Sequence, residues 1–287
     1  MDENNPPFLG TDAIARGLVT RRQLRADYQQ VLPNVYSSCS LPLDPVHRAQ
    51  AACVWARGRA VLAGRSAAAV WGVQGIAADA PAAIATPEHL RPPEGVEVYR
   101  ATLADDERTR WLSLQLTTPA RTAYDLGRHL PFADALAHIE QLYHRTGLSA
   151  DDVWRLVNRY PRARGINNLR NVVFFSRQGV TTPFQSRTRA QMMNGRLPPA
   201  ETMLEVRNER GYRVGVAHIG WRREQVAVQC FDDSSQREFD NLNTLVERGW
   251  RVFAVSAGQP VDHRPNPFFL LNHRIESALL LRQSQLG

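Results

Sequence analysis

Polar and apolar residues alternate along "VAHIGWRREQVAVQCFDD" (216–233), the period-two pattern of two strands, and "WRRE" makes a polar turn between them. The surrounding pattern extends this unit. "TMLEVRNERGYRVGVAHIGW" predicts a hairpin around "NERG", and "SQREFDNLNTLVERG" predicts a helix ended by Gly249. "WRVFAVSA" reads as a buried strand and "NHRIESALLLRQS" as a closing helix. Upstream, "TDAIARGLVTRRQLRAD" (11–27) predicts two short helices, with Thr11 and Thr20 as N-caps and Gly17 as a stop. "YQQVLPNVYSS" (28–38) follows as a strand pair turning at Pro33-Asn34. Helix, turn, helix, hairpin is the element order of a winged helix.

Between these two ends the periodicity is mixed. Residues 44–61 predict an alanine-rich helix, and "LAGRSAAAVWGV" (62–73) predicts a shorter one capped near Ser66 and stopped by Gly72. Short strands fill 74–116. "TTPARTAYDLGRHL" then starts a helix with Thr118 as cap and Pro119 in the first turn, where its missing N–H costs nothing. Two amphipathic helices continue to residue 160, the second opened by Ser149 with Asp152. The pattern divides the chain into residues 8–42, 43–178 and 179–287, and the class is α+β.

Charge changes the picture more than composition does. The net charge is +7, and all 35 basic residues are arginine. Chemistry that needs a catalytic lysine is therefore excluded. Arginine is permanently charged and forks toward phosphate. Arg21, Arg22 and Arg25 follow Thr20 on the second helix, the element that enters the major groove in a winged helix. A solvated arginine-rich face is the alternative for the same residues. From Val153 to Ala200 there is no Asp or Glu, and nine arginines fall there: Arg155, Arg159, Arg162, Arg164, Arg170, Arg177, Arg187, Arg189 and Arg196. That stretch projects a positive potential toward polyanions, or else meets acidic helices elsewhere in the chain.

Cys39, Cys53 and Cys230 are scattered and odd in number, which gives no metal-ligand spacing and no disulfide framework. No run of about 18 apolar residues exists to span a membrane. The acidic, polar start "MDENNPPFLG" lacks the features of a secretory signal, so the expected location is the cytoplasm.

The ordered set "GLVTRRQLR…VLPNVYS", "LAGRSAAAVWG", "TTPARTAYDL", "TPFQSRTR", "GYRVGVAHIGW", "VAVQCFDD" and "LVERGWRVFAVSA" resembles AbiEi-type antitoxin proteins of actinobacteria that carry a C-terminal domain like very-short-patch-repair endonucleases. The resemblance implies a winged helix over 8–42, a mixed α/β middle region over 43–178, and a restriction-endonuclease-like α/β domain over 179–287. In such a nuclease core, acids on a helix and two strands hold a divalent metal that activates water. Here those places fall on Gln185, His218 and Gln229, and a further acid falls on Phe231. Magnesium requires hard anionic oxygens, which none of the four supplies. The expectation is a nuclease-like scaffold without metal or other cofactor.

The partners expected from these residues are double-stranded DNA, a cognate toxin protein and a second copy of the chain, with no membrane. The DNA contacts would come from Thr20, Arg21, Arg22, Arg25, Arg162, Arg164, Arg187 and Arg189. The alternative is an active metal-dependent endonuclease that recruits Asp232 or Asp240. For Asp232 this needs a three-residue displacement, which turns the side chain to the other face and moves it about 10 Å along the strand.

Overall fold

A computed structural model describes residues 6–193, 197–231, 236–257 and 267–286. The chain is an α+β protein that divides into two compact units. The first comprises residues 1–130 and 145–174, the second 131–144 and 175–287.

The first unit opens with β1 (Phe8–Leu9), α1 (Gly10–Ala15), α2 (Arg21–Asp27), β2 (Tyr28–Leu32) and β3 (Val35–Ser38). The three strands form an antiparallel sheet in the order β1-β3-β2. This is the helix, turn, helix, hairpin order that the pattern predicts. The hairpin turns at Asn34, which adopts a left-handed φ of 62°. Asn34 also ties the turn to the first helix: Thr11 N–H donates to its Oδ1 at 3.0 Å, and its Nδ2 donates to Thr11 Oγ1 at 2.9 Å. Thr11 is thus an anchor within α1 rather than its N-cap, which is Leu9.

The chain continues through α3 (Pro45–Ala56), β4 (Val61–Leu62), α4 (Gly64–Val70), β5 (Ala82–Thr86), β6 (Val96–Arg100), β7 (Arg108–Trp111), β8 (Leu114–Thr117) and α5 (Pro119–His129). Strands β4 to β8 make a five-stranded mixed sheet, ordered β6-β5-β4-β8-β7. Thr118 caps α5 as expected, accepting from Arg121 N–H. Ser66 does not cap α4; its hydroxyl accepts from Ala83 N–H at 2.8 Å and joins the helix to β5. Leu32 and Val35 of the hairpin share one apolar core with Ala49 and Ala52 of α3, Leu62 of β4, Ile84 of β5 and Leu116 of β8. The expected boundary at 42/43 therefore lies inside a continuous core.

Helix α6 (Phe132–Thr146) starts in the second unit, whereas α7 (Ala150–Arg159) and α8 (Ile166–Phe175) belong almost wholly to the first. The Ser149–Asp152 start of α7 is a reciprocal capping box.

The second unit adds α9 (Pro183–Met193), β9 (Glu201–Arg207), β10 (Arg213–Trp221), β11 (Val226–Phe231), α10 (Gln236–Glu247), β12 (Arg251–Ser256) and α11 (Pro267–Leu286). Its sheet runs β12-β11-β10-β9, antiparallel except for the β11–β12 pair. One face packs Ile219, Trp221, Val226 and Val228 against Met192 of α9 and Ile275 and Leu279 of α11. The other packs Leu204, Ala217 and Ala227 against Leu245 of α10. A sheet covered on both faces needs strands apolar throughout, and every residue of β11 is buried. No helix of the described residues is long and apolar enough to cross a membrane.

Candidate functional site

Two places carry the residues singled out by the sequence. The first is α2. Thr20 Oγ1 accepts from Gln23 N–H at 3.2 Å, and Gln23 Oε1 accepts from Thr20 N–H at 2.9 Å, a capping box that fixes the helix start. Leu24 is the one buried residue of α2 and holds it to the unit. Arg21, Arg22 and Arg25 are exposed, and none makes a side-chain hydrogen bond or ion pair among the described residues. Three permanent cations on one short, capped helix are thus left to solvent or to an external anion.

The arginines downstream are in another situation. Arg162 and Arg164 are exposed in the turn between α7 and α8. Arg187, in contrast, donates from Nε to Asp134 Oδ1 at 3.1 Å. Arg189 is buried and forms an ion pair with Glu140, and it also donates to Phe175 O and to Thr202 Oγ1. Glu140 further accepts from Ser186 Oγ and from Arg177 N–H. Burial raises the Glu140 carboxyl and lowers the Arg189 guanidinium, against the attraction between them. Arg189 is a structural cation, not an external phosphate contact, because its charge is already matched inside the unit. Arg155 and Arg159 likewise pair with Asp152 and Asp106. Arg196 lies outside the described residues.

The second place is a cleft of about 730 Å³ lined by Thr181, Gln185, Arg213, Val216, His218, Glu238, Asp240 and Asn241. Gln185 and His218 line it, and the fully buried Gln229 is hydrogen-bonded to His218. The β10–β11 ladder runs only from Trp221↔Val226 to Ile219↔Val228. Beyond that the strands part, and side chains bridge the gap. His218 N–H donates to Gln229 Oε1 at 2.9 Å, Gln229 Nε2 donates to Val216 O at 3.0 Å, and Cys230 N–H donates to His218 Nδ1 at 3.0 Å. Asn241 of α10 adds a two-way clamp, accepting from Val216 N–H at 2.8 Å and donating to Val216 O at 2.7 Å. These amides and the imidazole replace missing backbone bonds in a buried sheet.

Gln185 has a local duty as well. It is the last residue of "TPFQ" and the third of α9: its N–H donates to Thr182 Oγ1 at 3.3 Å, and its Oε1 accepts from Thr182 N–H at 3.4 Å and Thr181 N–H at 3.1 Å. Its Nε2 then faces His218 Nε2 at 3.2 Å. A backbone N–H and an amide NH2 are both donors, so each ring nitrogen of His218 faces a donor and the neutral ring can accept from only one of them. Burial lowers the His218 pKa from 6.5 to about 4, which keeps the ring neutral.

Phe231, the fourth position, takes no part in this network. It packs on Phe239 of α10 with ring centroids 5.1 Å apart. Among the described residues, no group of three or more His, Cys, Asp or Glu is clustered to hold a metal ion. Asp232 and Asp233 lie outside the described residues. Sequence reasoning missed Asn241, whose role depends on the parting of two strands. It also missed the reciprocal cap in "TPFQ", which the Thr-x-x-Gln spacing does signal.

No family model matches the chain, and no curated protein matches it significantly. The crystal structure of the RV2827C protein from Mycobacterium tuberculosis is similar to it with a TM-score of 0.41 and 16% identity, over 72% of this chain and 85% of that one.

Proposed function

We propose that this is a cytoplasmic DNA-binding protein that presents α2 to duplex DNA, with a second unit that is nuclease-like but does no metal chemistry. One observation carries the reading: Arg21, Arg22 and Arg25 are exposed, without protein partners, on a capped helix followed by a hairpin. In winged-helix geometry such a helix supplies base and phosphate contacts. The resemblance to AbiEi-type antitoxins supplies the setting, an autoregulator paired with a toxin. The places expected for metal-holding acids carry Gln185, His218, Gln229 and Phe231, none of which supplies the anionic oxygen that magnesium requires, and this supports a unit without metal chemistry.

The test is an electrophoretic shift on the protein's own upstream region, with and without Mg²⁺ or Mn²⁺. The parent is expected to shift the duplex without cutting it, and the Arg21→Ala/Arg22→Ala/Arg25→Ala variant is expected to lose specific binding. Retained specific binding in that variant rejects the assignment to α2.

A second reading, metal-dependent cleavage, is favoured by Glu238 and Asp240, two carboxylates that line the same cleft as His218. It requires cutting that disappears in Asp240→Ala.

A further inference from the structure

Strands β7 and β8 form a hairpin at one edge of the five-stranded sheet. Trp111 pairs with Leu114, so the loop is the two residues Leu112 and Ser113. Leu112 has a φ of 52°. Tight hairpin loops put Gly, Asn or Asp at such positions, because a left-handed backbone crowds a larger L side chain. Leucine here is both strained and 84% exposed, so it contributes little packing to the fold. Trp111 beside it is 52% exposed. Its inner side rests on Trp71, with ring centroids 5.9 Å apart, and Trp71 is itself fixed by Nε1 donating to Thr117 O at 3.1 Å. The hairpin therefore holds an apolar wedge and an aromatic plane outward on a rigid support.

The charges around the tip are cationic. Arg110 is exposed on β7 and makes no ion pair among the described residues. Arg145 is exposed too, and its side chain lies against Gly72, the residue after Trp71, where an added Cβ would sit 3.9 Å from Arg145 Cδ. Arg108 is matched by Asp105. An exposed leucine and tryptophan flanked by unmatched arginines is the chemistry of proteins that unstack a base step and neutralise the phosphates beside it. A purely apolar protein partner would leave Arg110 and Arg145 unmatched.

We propose that the β7–β8 tip is a second nucleic-acid contact in which Leu112 wedges between, and Trp111 stacks on, bases of duplex DNA, with Arg110 and Arg145 on the phosphates. This deepens the DNA-binding reading and rests on it. The placement of strain favours the test: Leu112→Gly removes the wedge and relaxes the backbone, so folding is retained or improved.

The experiment titrates the full chain into a mixed-sequence duplex carrying 2-aminopurine, following anisotropy and the fluorescence rise of an unstacked base. The parent should produce the rise. Leu112→Gly and Trp111→Ala should each weaken binding about tenfold or more and remove the rise, with the melting temperature of Leu112→Gly no lower than the parent's. Parent-like affinity in both variants, or no rise with the parent, overturns the proposal. If the α2 triple variant loses binding while the hairpin variants keep it, the wedge falls and α2 stands. If the hairpin variants lose it and the α2 variant does not, α2 falls and the wedge stands. If the parent binds no duplex, both fall. A Leu112→Gly variant that binds duplex normally but sediments at a lower mass makes the tip a protein contact and overturns the wedge.

Discussion

At the scale of single residues, burial at His218 makes one contribution to stability that acid removes. The folded-state pKa is about 4 and the ordinary value 6.5, so only the unfolded chain takes up this proton between those pH values. The stabilisation is complete above pH 6.5, where both states are neutral, and is lost as pH falls toward 4. The loss is about 3 kcal/mol at full extent. His218→Gln removes the titration, so the gap in unfolding free energy between parent and variant should narrow by that amount from pH 7 to pH 4. Parallel denaturation midpoints across the range would exclude it. Gln229 gives the complementary case. Its Nε2 is the donor to Val216 O, and it is fully buried. Gln229→Glu sets a buried carboxylate against that carbonyl and should cost on the order of 3 kcal/mol at neutral pH. Burial raises the pKa of the new carboxyl, so its protonated form donates again at lower pH. Urea melts at pH 7 and pH 5 should show the deficit shrinking with acid, and a deficit that is absent at pH 7 counts against the bridging role.

At the scale of elements, the ion pair joining α6 to α9 holds the second unit together more than it serves any ligand. Glu140 is fully buried and accepts from Arg189, Ser186 and Arg177. Glu140→Ala leaves a buried guanidinium without its counter-charge and should destabilise by about 3–5 kcal/mol. Glu140→Leu with Arg189→Met should recover most of that loss, because both buried charges leave together. A double variant as unstable as the single one, in the same urea titration, contradicts the pairing. This pair also marks what the sequence could convey. Caps at Thr20, Thr118 and Ser149 and the turns at Asn34 and Gly249 were legible, since each depends on residues within a few positions. Arg187 and Arg189 read as part of a free basic stretch because Asp134 and Glu140 stand 53 and 49 positions upstream. The meeting of Gln185, His218 and Gln229 was legible only through the resemblance. The use of His218 and Gln229 as ladder bridges was not, because it follows from where β10 and β11 part, a property of the packed sheet.

At the scale of the whole molecule, the count of 35 arginines overstates the cations available to a polyanion. Arg121, Arg155, Arg159, Arg187, Arg189, Arg207 and Arg222 are engaged with carboxylates. Arg21, Arg22 and Arg25 are not, so DNA affinity should depend on a few cations rather than on the overall field. Each phosphate neutralised contributes about 0.9 to the slope of log affinity against log salt. Removing all three α2 arginines should therefore flatten that slope by about 2 to 3, with weak residual binding. Changing the ion-paired Arg187 to Ala should leave it nearly unaltered. Anisotropy titrations of one labelled duplex over a salt series measure all three proteins. A slope that falls equally for Arg187→Ala would mean that the Asp134 pair opens to meet DNA, and would return the basic stretch between Val153 and Ala200 to the interface.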